Sequence, residues 1–313
     1  MDFSLPRMPA TAIREYVPGN LIYANGHRFV ARRFHRDPGE EHAEMPCFEV
    51  SAEHQAVKPT NQRESSSLGG NILQTIAVCD VDLVHTSHIS DEEELRFQLG
   101  VAVHGLELHQ HNGGRAFRWG PQPVHLRRGV RLRLVNVGAS AAMADGEFGY
   151  PVCTVCGQSV SPLSSERQRD NFRESHEERC GRAPRPIGFH ANTVADVLSL
   201  PACDSKTTAY SVLEALRIGA TRVLDMHKDD LQILVIGHVD REEVDALLWD
   251  PMPGGSGLLE RLWERFEDIV QVAAEVANDC PAVCTSSCID CLQTFRNAYY
   301  HRSLDRTIAG ERI

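Results

Sequence analysis

The chain has 313 residues, 42% of them hydrophobic, and a formal net charge of -11. That length can bury a sizeable core and divides into two or three units. The charge excludes a protein that is basic over its whole surface, and no apolar run approaches the ~20 residues of a membrane helix. The start, MDFSLPRMPATAIREY, has no basic segment followed by an apolar stretch, so no secretory signal is expected. A cytoplasmic location follows as the expectation. There thiols stay reduced, and clustered cysteines favour metal over disulfides.

The first 145 residues read as β-rich. Leu21–Ala24 and His27–Ala31 flank Asn25-Gly26, a dipeptide that supplies the positive φ angles of a tight hairpin turn. Residues 57–70 are polar and turn-rich, and predict a connector. A strand is expected over Ile72–Val84, and others over Val101–Leu108 and Val130–Val137, with a turn at Asn112-Gly113-Gly114. The pattern predicts a small antiparallel barrel or sandwich. Residues 146–188 form a second segment, with a polar helix over 164–179.

Residues 189–313 turn to an α/β pattern. Asp204 or Ser205 caps a helix running to Arg217, with Gly219 at its end. Leu231–Val239 is a continuous apolar run of the kind found in central strands, and Val244–Trp249 is a second strand. A breaker-rich loop, Asp250–Gly257, then feeds a long helix from Leu258 to Ala277, whose apolar residues recur at three-to-four spacing. A last helix is expected over Ile289–Tyr300. The fold class is therefore α+β: a β-rich N-terminal part, a small metal-binding insert and a C-terminal α/β domain.

Seven of the ten cysteines fall into two sets. Cys280, Cys284, Cys288 and Cys291 lie within twelve residues, where crowded thiolates repel or oxidise unless a cation holds them. Tetrahedral zinc takes four such ligands; an iron–sulfur cluster also takes four cysteines. Four thiolates leave no open position, so this set predicts a structural site without bond-breaking chemistry. The second set is Cys153 and Cys156, followed by His176 and Cys180. Gly157 after the first pair suits a knuckle whose backbone amides face the sulfurs, and the helix brings His176 and Cys180 one turn apart. A lone Cys-x2-Cys is also a redox pattern, which the His-x3-Cys pair argues against. Two zinc sites are expected. Cys47, Cys79 and Cys203 stand alone and read as small hydrophobes.

Charge is unevenly spread. Residues 225–279 hold 14 acidic and 4 basic side chains, while residues 111–136 hold six arginines and no acid: Arg115, Arg118, Arg127, Arg128, Arg131 and Arg133. A shorter basic run contains Arg28, Arg32 and Arg33. Such stripes fit a nucleic-acid track or, equally, a solvated strand face. Histidines gather at His85, His88, His104, His109 and His111; metal ligation is conceivable, but strand-rich domains scatter such residues at hairpins and no carboxylate or cysteine completes a set. The acidic run Asp91–Glu94 reads as a capped helix start or loop. The loop at 250–257 offers amides to a phosphate or, more simply, a sharp turn; the Lys and Ser/Thr of a phosphate-binding loop are missing. No Walker motif, hydrolase elbow or zincin motif is present.

Asp250-Pro-Met-Pro-Gly-Gly-Ser-Gly-Leu-Leu-Glu-Arg-Leu, followed by the four cysteines and Leu292, resembles the MrfA-type zinc-binding domain family. His190–Leu200 and the helix at 209–219 are similar too. That family sits at the C-terminus of superfamily 2 DEAD/DEAH-type helicases and in helicase-partner proteins of bacterial defence systems such as DISARM. The resemblance implies a four-thiolate zinc site on Cys280, Cys284, Cys288 and Cys291. It also implies a helicase motor, in cis or in trans, as partner, and DNA as a ligand, with no membrane. This chain ends the motif with Ser287-Cys288-Ile289-Asp290-Cys291 and spaces its first cysteine pair more widely than the family pattern. The expectation is a non-catalytic accessory or C-terminal module of a DNA helicase system, in repair or antiviral defence; the alternative is an interaction scaffold that does not bind nucleic acid.

Overall fold

The computed structural model describes residues 4–36, 44–61, 71–89, 97–108, 114–120, 122–140 and 146–313, the side chains of Gln122 and Arg296 aside. The expected turn at 112–114, the acidic run 91–94, His109 and His111, and most of the 57–70 connector lie wholly or largely outside the described residues. Two compact units emerge, interleaved in sequence. The first comprises 1–53, 57–104 and 134–192, and the second 54–56, 105–133 and 193–313. The expected boundaries at 145 and 188 follow chain order, whereas the chain crosses between units within strands. The insert 146–188 lies wholly within the first unit.

In the first unit, helix α1 (Pro9–Glu15) precedes β1 (Leu21–Ala24) and β2 (His27–His35). β1 and β2 pair as the expected hairpin, with Asn25 at φ 50 and Gly26 at φ 77. The predicted strand over 72–84 is two strands. β5 (Asn71–Ala77) pairs antiparallel with β3 (Cys47–Ser51), while β6 (Asp80–His88) pairs with β2. The chain changes sheets between them, a step that a run free of Gly and Pro does not signal. β4 (Ala56–Thr60) follows β3 in the sheet path. Strands β7 (Val101–Glu107) and β9 (Gln122–Ala139, 18 residues) are shared between the units, while β8 (Arg115–Trp119) belongs to the second. After β10 (Tyr150–Val152) and α2 (Glu166–Cys180), strand β11 (Arg185–Ser199) pairs parallel with β5 through Ile187–His190. The sheets are open, which corrects the barrel option, and the parallel pair departs from an all-antiparallel reading. The α+β class stands. Phe34, Tyr150, Ile187 and Phe189 centre the core of this unit.

In the second unit the second half of β11 pairs with β13 (Asp245–Asp250), and β13 pairs with β12 (Gln232–Ile236). β12 has one partner among the described residues and ends the sheet path, so it is an edge strand and not the central one expected. Its apolar residues meet helices. Helix α3 (Lys206–Leu224) starts where Ser205 accepts from the Thr208 amide, and runs through Gly219 to Leu224. Gly219 marks a helix crossing instead of an end. The expected long helix is two, α4 (Leu258–Glu264) and α5 (Phe266–Asn278), broken at Arg265 (φ -115, ψ 27) with no Pro or Gly to signal it. Phe266 packs against Phe117 and Trp119 at 4.6 and 5.4 Å, contacts worth about 0.5–1.5 kcal/mol each beyond burial. The helix expected over 289–300 is a kinked 3-10 segment, Phe295–Ser303, followed by α6 (Arg306–Arg312). Thr294 and Asn297 cap each other there, and the cysteine loop occupies the start of the predicted helix. No helix among the described residues is long and apolar enough to cross a membrane.

Candidate metal centres

The four C-terminal thiols converge. Their ligand atoms all lie within 4.8 Å of one another, and the pairs Cys280–Cys284, Cys280–Cys288, Cys284–Cys291 and Cys288–Cys291 stand 3.7, 3.6, 3.7 and 3.9 Å apart. Sulfurs bound tetrahedrally at the usual zinc–sulfur distance stand roughly 3.8 Å from each other. An iron–sulfur cluster would place its own irons and sulfides between the thiolates and hold them farther apart. The donor set therefore fits one tetrahedral ion.

Local sequence builds this geometry. Cys280 follows α5 directly, and a turn returns the chain, with the Val283 amide donating to the Cys280 carbonyl at 2.9 Å and Val283 at φ 49. The backbone amides of Cys284 and Ala282 face the Cys280 sulfur and hold its thiol down to about 6. Burial, together with the neighbouring sulfurs, pushes Cys284 up to about 12. Burial likewise raises Cys291. One thiol ionises readily and its neighbours resist, which is the charge conflict that a divalent cation removes. Cys280 and Cys291 are buried in the core of the second unit beside Leu292, Tyr300 and Leu304.

In the first unit, Cys153, Cys156 and Cys180 bring their sulfurs within 4.8 Å of one another. Gly157 adopts φ +75 and its amide donates to the Cys153 carbonyl at 2.8 Å, closing the knuckle; a Cβ there would sit 2.2 Å from the Phe34 carbonyl oxygen. Burial raises the Cys153 thiol, but the amides of Cys156 and Val155 outweigh it, and the thiol ends below its ordinary value. Burial and the two partner sulfurs push Cys180 up to about 11. His176 stands outside this group of three. It is buried, with Nδ1 2.8 Å from the Phe172 carbonyl and Nε2 3.0 Å from Gln158 Oε1. With the proton on Nδ1 and donated to the Phe172 carbonyl, Nε2 carries the lone pair that can ligate; Gln158 covers that nitrogen and bonds to it only with its amide turned to present the NH2 group.

Among the lone cysteines, burial pushes Cys203 up to about 11, the behaviour of a small hydrophobe, while Cys79 is exposed. Asp250 is buried, and its carboxylate accepts from the Met252 amide (2.9 Å) and from the Ser256 amide (2.5 Å) and hydroxyl (2.6 Å). The glycine-rich loop is thus stapled to β13, which is the structural reading of that motif.

The arginines divide. Val124, Leu126, Val130, Leu132 and Leu134 are buried along β9, and Arg127, Arg131 and Arg133 fall on the opposite face by strand alternation. Arg127 makes a bidentate pair with Glu107 at 2.6 and 2.8 Å, and Arg128 pairs with Glu260 at 2.6 Å. Arg115, Arg118, Arg128 and Arg131 are exposed, and Arg133 is half-buried. In the first unit Arg28 is half-buried and Arg32 exposed, while the exposed Arg33 donates to the Cys156 carbonyl at 2.9 Å. The structure also assembles a group that sequence spacing missed, His27 with His85 and His88. His27 lies 58 residues before His85, and only strand pairing joins them.

The fold and its thiol sets define an α+β protein with two cysteine groups whose geometry suits a metal ion. Residues 212–292, which include all four C-terminal cysteines, match the model of the MrfA Zn-binding domain. A relative 30% identical over 347 residues is Druantia protein DruE of Escherichia coli (strain UMEA 4076-1); the match covers 96% of this chain and 19% of that protein. Solved structures of the DUF1998 helicase MrfA are also similar. One, bound to DNA, is 17% identical over 69% of this chain and 24% of its own (TM-score 0.37), and another is 11% identical over 94% and 30% (TM-score 0.38). The chain spans about a fifth of the curated relative and under a third of the solved chains.

Proposed function

We propose that this chain is a zinc-stapled accessory or C-terminal module of a DNA helicase system, serving repair or antiviral defence in the cytoplasm, with the ATPase motor in cis or in trans and no ATPase activity of its own. The observation that carries this reading is the closed four-thiolate set inside a segment that matches the MrfA Zn-binding domain. Zinc at Cys280, Cys284, Cys288 and Cys291 supplies rigidity and charge compensation, and those residues do no bond-breaking. A second zinc sits on Cys153, Cys156 and Cys180, and His176 completes its ligands once Gln158 turns aside. Of the basic residues, Arg115, Arg118, Arg128, Arg131 and Arg133, with Arg28, Arg32 and Arg33, meet phosphates. Arg127 is committed to Glu107 and positions the strand. Val283, Ile289, Phe295 and Tyr299 are exposed around the thiolate loop and suit contact with the motor.

A DNA titration at two salt concentrations, with and without the cognate helicase, tests this reading. Binding that weakens with salt, and weakens further in Arg118→Ala/Arg131→Ala, supports it; no binding under either condition removes it. One observation favours the scaffold reading: Glu264, Glu267 and Asp268 are exposed on consecutive turns of α4 and α5. Charge reversal there that breaks a complex while DNA affinity is unchanged would establish that alternative.

A further inference from the structure

His27 is the first residue of β2, and His88 is its partner across the β2–β6 ladder. Directly paired residues project to the same side of a sheet. His85 lies three residues before His88, and in a regular strand residues three apart face opposite sides. Here the register shifts between Arg28 and Phe29, so that Phe29 pairs with His85 and one extra residue is inserted on β6. The Thr86 hydroxyl donates to the Arg28 carbonyl at 3.2 Å across that irregularity. A bulge of this kind re-aims side chains. It turns His85 onto the same side as His88 and His27.

The three rings then meet. His27 Nδ1 and His85 Nε2 are 3.0 Å apart, and all three histidines present a ring nitrogen within 4.8 Å of the others. Nitrogens bound to one zinc ion at the usual distance stand roughly 3.3 Å apart. The histidine ring centroids are 4.2 to 5.7 Å apart, and the buried Phe29 ring lies 6.2 Å from His27 and 5.7 Å from His85. His27 is half-buried, and His85 and His88 are exposed, so an ion can reach the group from solvent. One hydrogen bond between two imidazoles leaves the third ring's nitrogen without a use in the cluster.

We propose that His27, His85 and His88 form a third metal site, distinct in chemistry from the thiolate sets. It takes a borderline divalent transition ion, zinc or its nickel and cobalt analogues, through three neutral imidazoles. Unlike the four-thiolate set, it leaves a coordination position for water or for a donor from a ligand. The site pins the bulge of β6 against the β1–β2 hairpin.

The test uses the tag-free full chain with its thiolate sets already zinc-loaded, dialysed against a zinc buffer and analysed for metal. The expected result is one further zinc equivalent in the wild type, bound at least about tenfold more weakly in His85→Ala and in His88→Asn. That equivalent persists in Cys284→Ser, which loses a different one. Cobalt added to the zinc-loaded chain should give visible d–d bands without the near-ultraviolet thiolate charge-transfer band, and both histidine variants should lose them. Both variants alter exposed side chains, and their circular dichroism checks the fold. Equal zinc content in wild type and histidine variants, or cobalt uptake with thiolate charge transfer only, overturns the proposal.

Discussion

The Arg306 guanidinium donates to the Cys284 carbonyl at 2.8 Å, and the backbone amide of Arg306 donates to the Ser286 carbonyl at 2.7 Å. A further guanidinium bond reaches the Ala277 carbonyl at the end of α5, at 3.1 Å. The last helix therefore holds the thiolate loop and the helix that precedes it. Groups outside the ligand set that orient ligands tune metal affinity. Arg306→Ala should destabilise the zinc-loaded protein by about 1.5–3 kcal/mol in urea unfolding. Zinc transfer to a chelator should speed up in the same variant, and an unchanged transfer rate would count against this role.

Glu214 is completely buried on α3 and pairs with Arg217 at 2.8 Å; it also accepts from Asn297 at 2.8 Å and from the Tyr300 hydroxyl. This carboxylate gathers the polar anchors of the segment after the cysteine loop on α3, where Tyr210 also stacks on Tyr300 and the Ser211 hydroxyl accepts from the Asp305 amide at 2.8 Å. Removing one partner of a buried pair strands the other, at a cost of about 3–5 kcal/mol. Glu214→Ala should lose stability on that scale in equilibrium unfolding, far more than the exposed pair partner Asp268→Ala, whose loss should stay within about 0.5 kcal/mol.

At Gly219 an added Cβ would lie 2.6 Å from the Ile269 carbonyl oxygen, so α3 and α5 touch backbone to backbone. Alanine favours an isolated helix over glycine by about 1 kcal/mol. Here the clash is with main chain and overrides that preference, because both helices must move apart. Gly219→Ala should lower stability by about 1–3 kcal/mol, read as a fall in thermal midpoint; a rise would contradict the crossing.

Lys206 is partly buried, with its ammonium 3.1 Å from the carbonyl and side-chain oxygens of Gln55, and desolvation lowers its pKa to about 8. A lysine whose folded pKa lies below its unfolded one binds fewer protons in the folded state between those values. Stability from this group therefore rises as pH climbs from about 8 towards its ordinary value. Wild type should gain stability relative to Lys206→Gln between pH 7.5 and pH 9.5. A constant difference between the two proteins would contradict the shift.

The parts legible in the sequence were those fixed by short-range chemistry. Asn25-Gly26 defines its hairpin through positive φ, and the converging cysteines at 280–291 lie close in the chain. What depended on tertiary context did not show. The run at Leu231–Val239 is as apolar as a central strand, yet β12 is an edge whose burial comes from helices. Asn297 gives its amide to Glu214 and to the Leu292 carbonyl, which local propensity cannot anticipate, and the expected helix becomes a kinked 3-10 segment. Arg127 belonged to the basic stripe in sequence, but Glu107 reaches it across 20 residues. The histidine group needed both strand pairing and a bulge to form.

The most direct measurement is zinc-edge X-ray absorption on Cys153→Ser/Cys156→Ser, which leaves the C-terminal thiolates as the only intact cysteine set, after dialysis at a free zinc level too low to fill any histidine site. The account predicts one zinc per chain with a first shell of four sulfurs at about 2.3 Å. A folded protein without bound metal, a shell containing oxygen or nitrogen, or iron with a second iron close behind it would contradict that claim.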